Sequence, residues 1–383
     1  MLPFATFPAL LPVLTDAWRL HHSEAGLISG SFFGGYMAAV PVLVSLTDRV
    51  DARRVYGFAT LLSAGGTVGF AFYASGLWSG LFFQALVGAG LAGTYMPGLK
   101  ILSDHISGQR QNRAIALYTS TFGVGTSLSL WFSGTVAAMS GWPWAFGLAA
   151  LGPAVAGMFV LILFPHRPPP RPPAPHPPLL DFRPVLRNRE AVRYIFGYAA
   201  HCWELFGFRS WIVAFLAVSL GGGADPVSAL AGAAALAAVV NLLGPAASVL
   251  GNEFAGASDR RRVIARIMLA SAALACLVGF GVNMPWYIAF AGMVVYFMAI
   301  MGDSAALTAG VVAAAAPYRR GATMALHSLL GFGAGFVAPV VFGAVLDALG
   351  GETRTLAWGG AFASLALGYV IAFLARATLR QTE

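Results

Sequence analysis

The stretch from Tyr198 to Trp211 reads YAAHCWELFGFRSW and sets His201, Glu204 and Arg209 inside otherwise apolar and aromatic sequence. Asp303 stands in a similar setting, within MAIMGDSAALTAG. A carboxyl group in such surroundings can take up and release a proton, and a guanidinium can hold a carboxylate or an anionic solute. At the centre of a bilayer each such group costs at least about 2.5 to 3.5 kcal/mol, so it is expected to face an aqueous cavity or a partner. His201 and Glu204 are three residues apart and share a helix face, which makes them candidate companions. Arg209 follows Glu204 by five residues, a poor spacing for a pair within one helix, and this directs it toward Asp303 or a solute. A cluster of His201, Glu204, Arg209 and Asp303 is the expectation. Gln84 is a weaker candidate, as are Tyr95, Tyr36, Asn241 and His327, residue types that at such positions are more often satisfied packing residues than ligands.

The elements that must position these groups are hydrophobic throughout. Apolar residues make up 58% of the 383 positions and charged residues 10%, far from the balance of a soluble domain. The apolar residues fall in runs of helix-spanning length, near 1–18, 24–46, 53–75, 78–101, 114–138, 142–164, 194–220, 227–250, 262–282, 286–313, 321–346 and 356–375. Runs of about 20 residues cross a bilayer as helices, whereas β-barrel strands would be about half as long and alternating. The expected fold is therefore an all-α membrane protein with 12 transmembrane helices in two six-helix pseudo-repeats. Cys202 and Cys276 lie inside apolar runs, which excludes a disulfide framework and reads as two buried packing thiols. Neither metal-spaced ligands nor a cofactor motif is present, and the many glycines follow no strand, so they serve helix packing rather than nucleotide binding.

The net charge of +8 is not a nucleic-acid signal, because the basic residues sit in small clusters between apolar runs. With both termini cytoplasmic, every one of the 23 basic residues except Arg19, Arg209 and Arg354 lies in or beside an inner loop. The expected location is the cytoplasmic (inner) membrane, multi-pass, in contact with the lipid bilayer. The expected domains are 1–164, a first bundle; 165–193, a linker; and 194–383, a second bundle. Prolines crowd the linker from Pro165 to Pro178 and favour an extended spacer, followed by a short basic helix over 181–193 at the membrane surface. His21 and His22 fall in an outer loop and are read as solvated. The first run offers only 18 residues before the next loop, about 27 Å as helix, which predicts a first helix truncated at its start, with the natural start codon roughly 8 to 15 residues upstream or the helix clipped.

A repeat holds at one offset. Shifting DRVDARRV at Asp48–Val55 by 208 residues lays it over GASDRRRV at Gly256–Val263, matching Asp51 with Asp259, Arg53 with Arg261 and Arg54 with Arg262. The same shift matches Gly123 and Gly125 with Gly331 and Gly333. Six helices repeated in parallel about a long inner linker is the arrangement of the major facilitator superfamily, which this chain resembles along nearly its whole length. LTDRVDARRV is similar to that family's charged loop motif, with Val44 where a glycine is usual and one residue inserted before the arginine pair. The resemblance implies gating loops built from Asp48, Arg49, Arg53 and Arg54, and from Glu253, Asp259, Arg261 and Arg262, with Ala255 standing where the second copy would carry its aspartate. It also implies that the first, fourth, seventh and tenth helices line a central cavity, which would collect Gln84, Tyr95, His201, Glu204, Arg209 and Asp303.

The functional expectation is a secondary active transporter, not an enzyme, moving a small molecule or ion by alternating access as a monomer and without a cofactor; Glu204 or Asp303 is the candidate for proton coupling, the alternative being a static ion pair between the seventh and tenth helices. Import of a small anion fits Arg209. Export of an organic compound fits the aromatic seventh helix, but Gln84 replaces the arginine common in proton-coupled exporters of that family, and FGVGTSLS lacks the proline of their fifth helix. A sensor built on the same fold and a membrane-embedded enzyme are the remaining alternatives.

Overall fold

The computed structural model describes residues 1–47, 49–106, 109–166, 182–221, 226–316 and 319–370. Among these residues the secondary structure is entirely helical. The first half comprises α1 (Thr6–Trp18), α2 (His22–Leu46), α3 (Ala52–Tyr73), α4 (Leu77–His105), α5 (Gln109–Ser140), α6 (Trp142–Ala149) and α7 (Leu151–Leu163). After a single turn, α8 (Arg183–Leu186), come α9 (Arg189–Leu220), α10 (Pro226–Gly256), α11 (Arg260–Val278) with a 3₁₀ turn at Gly279–Asn283, α12 (Trp286–Gly302), α13 (Ser304–Ala314), α14 (Arg320–Ala348) and α15 (Thr355–Leu365). Helix occupies every expected run, and nine of the described helical segments are long and apolar enough to cross a membrane. Asp48 and the proline-dense residues 167–181 lie outside the described residues.

Helix ends follow local chemistry. Asp51 caps α3 by accepting the Arg53 N–H at 3.0 Å, and Asp259 caps α11 by accepting those of Arg261 and Arg262 at 3.0 and 3.2 Å. The residues matched by the repeat thus do the same job, satisfying donors that a helix start leaves open. Asn188 caps α9 through Ala191 and donates to the Ala314 carbonyl, fixing the start of α9 to the end of α13. The short basic helix expected over 181–193 is therefore corrected: α8 is one turn, and the residues from Arg189 onward already belong to α9.

The outer surface is apolar. Trp78, Met139, Phe72 and Leu61 are among the large hydrophobic residues left exposed, an arrangement that water would penalise and hydrocarbon does not. Tyr73, Trp78, Trp144, Trp286 and Tyr287 are exposed at helix ends remote from the arginine-rich loops, where aromatic rings suit a membrane interface. Cys276 is exposed on α11, which corrects its reading as a buried thiol, while Cys202 is buried.

α9 is the exception to this one-sided burial. It is enclosed on nearly every face and packs against α14, α13, α1, α10, α12 and α15. It is the element that carries charged residues from the middle of the second half up to the first.

Candidate functional site

The expected four-residue cluster is corrected: three separate sites take its place, because side chains on different faces of α9 reach different neighbours. Glu204 is fully buried and turned into the second half. The Ser271 hydroxyl on α11 lies 2.9 Å from both carboxyl oxygens, and Tyr296 on α12 donates to Oε1 at 2.8 Å. Tyr369, beyond α15, donates to Oε2. Three hydroxyls from three neighbouring elements converge on one carboxyl group. None was foreseen, since Ser271, Tyr296 and Tyr369 lie 67, 92 and 165 residues away.

His201 is not the companion of Glu204. Its Nδ1 lies 2.7 Å from Asp303 Oδ1, and both side chains are buried. Asp303 marks the junction of α12 and α13, with dihedrals (φ −95°, ψ −13°) still in the right-handed helical region. Ser248 on α10 accepts the nearby Ala305 N–H, and α10 comes so close that a Cβ at Gly251 would meet the Gly302 carbonyl oxygen at 1.8 Å. Only glycine fits there. On the other side His201 stacks on Tyr198, which stacks on His327 at 3.7 Å between ring centres.

Arg209 faces the first half. Its Nε donates to Asn241 Oδ1 on α10 at 2.9 Å, and Asn241 in turn donates to the Ala237 carbonyl. The guanidinium carbon lies 5.8 Å from the Phe122 ring centre and 5.7 Å from that of Phe297, within the range in which an aromatic face attracts a cation. Its two terminal nitrogens have no hydrogen-bond partner among the described residues. Arg209 lines a cavity of about 20 Å³ between the two halves. Gln84 on α4 and Ser29 on α2 line it from the first half, with Phe4, Phe7, Phe32 and Phe33; Arg209 and Ser210 line it from the second. The Ser29 hydroxyl donates to Ser210 across the boundary at 2.8 Å. The Gln84 side chain is buried and without a partner among the described residues. Tyr95 stands one layer away, stacked on Tyr118 and edge-on to Phe122. Tyr36 stacks on Phe332.

One end of this boundary is sealed. Asp347 at the end of α14 accepts the backbone N–H groups of His22 and Ser23 at 3.0 and 2.9 Å, and its Oδ1 lies 2.7 Å from His22 Nδ1. Those N–H groups open α2, so a carboxylate of one half caps a helix of the other. His22 is thus a contact residue, not a solvated loop residue. The signal was legible at its neighbour: Glu24 accepts the His21 N–H, a helix-start pattern three residues long. Below the cap the backbones touch, since a Cβ at Gly26 or Gly30 would come within 2.1 or 2.3 Å of carbonyl oxygens of α14. Trp211 donates to the Pro339 carbonyl at 3.1 Å. The contact runs as far as Tyr36 and Phe332; beyond it no hydrogen bond or ion pair joins α2 to α14 among the described residues.

At the opposite end the loop residues act mostly within their own half. Arg53 donates to the Phe164 carbonyl at 2.6 Å, and His166 Nδ1 meets Asp51 Oδ2 at 2.5 Å. Arg261 pairs with Glu190 at 2.6 Å, and Arg262 with Asp259 at 3.1 Å. Arg49, Arg54 and Glu253 are exposed.

Comparison with known proteins agrees with this arrangement. The family model described as Major Facilitator Superfamily matches residues 1–339. A probable sphingolipid transporter of Arabidopsis thaliana, spinster homolog 1, is 27% identical over 152 residues, 40% of this chain and 30% of that protein. Protein spinster homolog 3 of Mus musculus is 30% identical over 162 residues, 41% and 31% of the two chains. The niacin transporter NiaP of Acinetobacter baylyi is 29% identical over 147 residues, 38% and 33%. The matched part thus spans about a third of each of these relatives. Among solved structures, a bacterial homolog of the human lysosomal transporter Spinster, inward-facing and unoccupied, superposes with a TM-score of 0.77 at 17% identity, covering 99% of this chain and 95% of that one. The nucleoside transporter NupG gives 0.69 at 17%, covering 98% and 96%. At these identities the likeness is one of fold.

Proposed function

Since the chain belongs to the Major Facilitator Superfamily and is a multi-pass membrane protein, we propose that it is a secondary active transporter moving a small solute by alternating access. In this reading the chain crosses the membrane twelve times. The pairs α6–α7 and α12–α13, and α11 with its 3₁₀ turn, count once each, and the two halves meet along α2–α14 and α5–α10. The matched caps at Asp51 and Asp259 support two repeats. The exposed aromatic residues at one end and the arginines at the other support cytoplasmic termini.

The observation that carries the reading is the boundary itself: a small cavity at Arg209, closed at one end by the Asp347 cap and backbone contact, and, among the described residues, without a hydrogen bond or ion pair between α2 and α14 beyond Tyr36 and Phe332. A transporter in one of its end states has this asymmetry, whereas a rigid scaffold gains nothing from it. The sealed end is the outer end in the proposed orientation, so the state described is open inward. The substrates named for the relatives, a sphingolipid and niacin, differ too much in chemistry to name the cargo.

For coupling to protons, His201 with Asp303 is the better candidate pair. Its acid sits at a helix junction and touches one imidazole, while the Glu204 carboxyl is held by three hydroxyls.

The test is access to the boundary. A single cysteine at Ser29, in a chain with Cys202→Ala and Cys276→Ser, is treated with a membrane-impermeant thiol reagent in vesicles of each orientation. Labelling from both sides, in proportions that shift when Asp347→Asn is added, is the expected result. Labelling from one side alone in every condition would rule out alternating access.

A further inference from the structure

Resting on the transport reading, the geometry at the boundary assigns a cargo class: we propose that the cavity takes a monocarboxylate with a small apolar body. Its carboxylate bridges the Arg209 guanidinium of one half and the Gln84 amide of the other.

The first argument is charge. Arg209 is more than nine-tenths buried, and its one side-chain hydrogen bond goes to a neutral amide, Asn241. Neither nearby acid neutralises it, because Glu204 is turned to Ser271, Tyr296 and Tyr369 and Asp303 to His201. Aromatic faces on two sides stabilise a cation only in part. A buried positive charge without a counter-ion is disfavoured, so the site favours one negative charge from outside. It favours only one: among the described residues lining this cavity, Arg209 alone is charged. A phosphate monoester or dicarboxylate would bring a second, unmatched charge.

The second argument is the donor set. Planar guanidinium nitrogens match a carboxylate edge, and Arg209 lines the cavity with two of its three nitrogens unpartnered among the described residues. Gln84 offers a second unpartnered donor from the opposite half into the same confined space. Two buried polar groups, one on each side of the boundary, Gln84 without a partner and Arg209 with a single bond among the described residues, are explained by a ligand group that satisfies both. The remaining walls are mostly apolar, four phenylalanines with Ala5, Pro8 and Leu130 beside the hydroxyls of Ser29, Thr126 and Ser210, and such a lining packs better against an apolar body than a hydrophilic one. The cavity is too small for the body, so its admission needs α1 and α2 to separate further from α9.

Benzoate and benzamide differ chiefly in charge and serve as the probe pair, with phthalate as the dianion and nitrate as a monoanion lacking a body. Thermal melting of the purified protein is expected to rise with benzoate and to stay unchanged with benzamide, phthalate or nitrate. Half-saturation by benzoate is expected to weaken about 10- to 100-fold in Arg209→Gln, the loss of a charge-assisted pair, and less in Gln84→Leu. Arg209→Lys keeps the charge and guards against a folding defect: it should retain weakened selectivity for benzoate over benzamide. Equal shifts by benzoate and benzamide, preference for phthalate, equal response to nitrate, or benzoate binding unchanged in Arg209→Gln would each overturn the assignment. Should acetate, hexanoate and benzoate all fail to shift melting while Ser29 labelling still alternates, the cargo class falls and the transport reading stands. Should labelling be one-sided as well, both fall.

Discussion

Glu204 and Arg209 are five residues apart on the same helix and equally deep in the protein, yet their surroundings are opposite. Glu204 is saturated: Ser271, Tyr296 and Tyr369 donate to it from three neighbouring elements of the second half. Arg209 is left incomplete, lining a cavity between the halves with one side-chain hydrogen bond, to Asn241, among the described residues. Depth alone therefore does not mark a working residue. A buried polar group whose hydrogen bonds all close within one rigid bundle gains stability from them and has nothing left to offer a solute. One that stays open at a boundary between moving parts is held at a cost, and function is the reason to bear it.

The largest effect that would break this contrast is on folding. Glu204→Leu leaves three buried hydroxyls without their acceptor and is expected to destabilise the protein by about 3 kcal/mol or more, read as a lowered denaturation midpoint in detergent. Arg209→Gln should melt at or above the wild-type temperature, because an uncompensated charge is removed, while transport of benzoate into proteoliposomes falls at least about tenfold. An equal loss of stability in the two variants would erase the distinction. Next, Asp303→Asn should abolish acceleration of uptake by an imposed pH gradient and leave uptake down a benzoate gradient intact; an unchanged response would move coupling away from the His201 pair.

Smaller effects sharpen the picture. Tyr296→Phe and Tyr369→Phe each remove one donor and should cost about 0.6 to 2 kcal/mol of stability, with benzoate binding unaltered. Asp347→Asn weakens a helix cap worth about 0.5 to 2 kcal/mol. Its expected signature is a rise in outer-side labelling at Ser29 with little change in melting temperature.

Much of this architecture was written along the chain. Hydrophobic runs of spanning length fix helices in a membrane because no other regular structure except a closed barrel satisfies the backbone in hydrocarbon. The repeat at Asp51 and Asp259 is local for the same kind of reason: an aspartate before a helix caps it wherever the helix goes. Spacing alone also separated Arg209 from Glu204, since five residues turn a helix by more than a third of a revolution.

What a side chain meets across the bundle is a different matter. The three-residue spacing of His201 and Glu204 allowed a pair, but neighbouring helices offered each a nearer partner, Asp303 to one and a set of hydroxyls to the other. Asn241, 32 residues along, became the partner of Arg209, and Asp347, 325 residues along, became the cap of α2. Such contacts depend on helix rotation and on how closely glycine faces let backbones approach, as at Gly26, Gly30 and Gly251. The sequence by itself determined that charged residues would lie deep in a helical membrane protein. Only the packing of the two halves decided which of them would be satisfied and which would be left open, because that choice is made by partners distant in the chain.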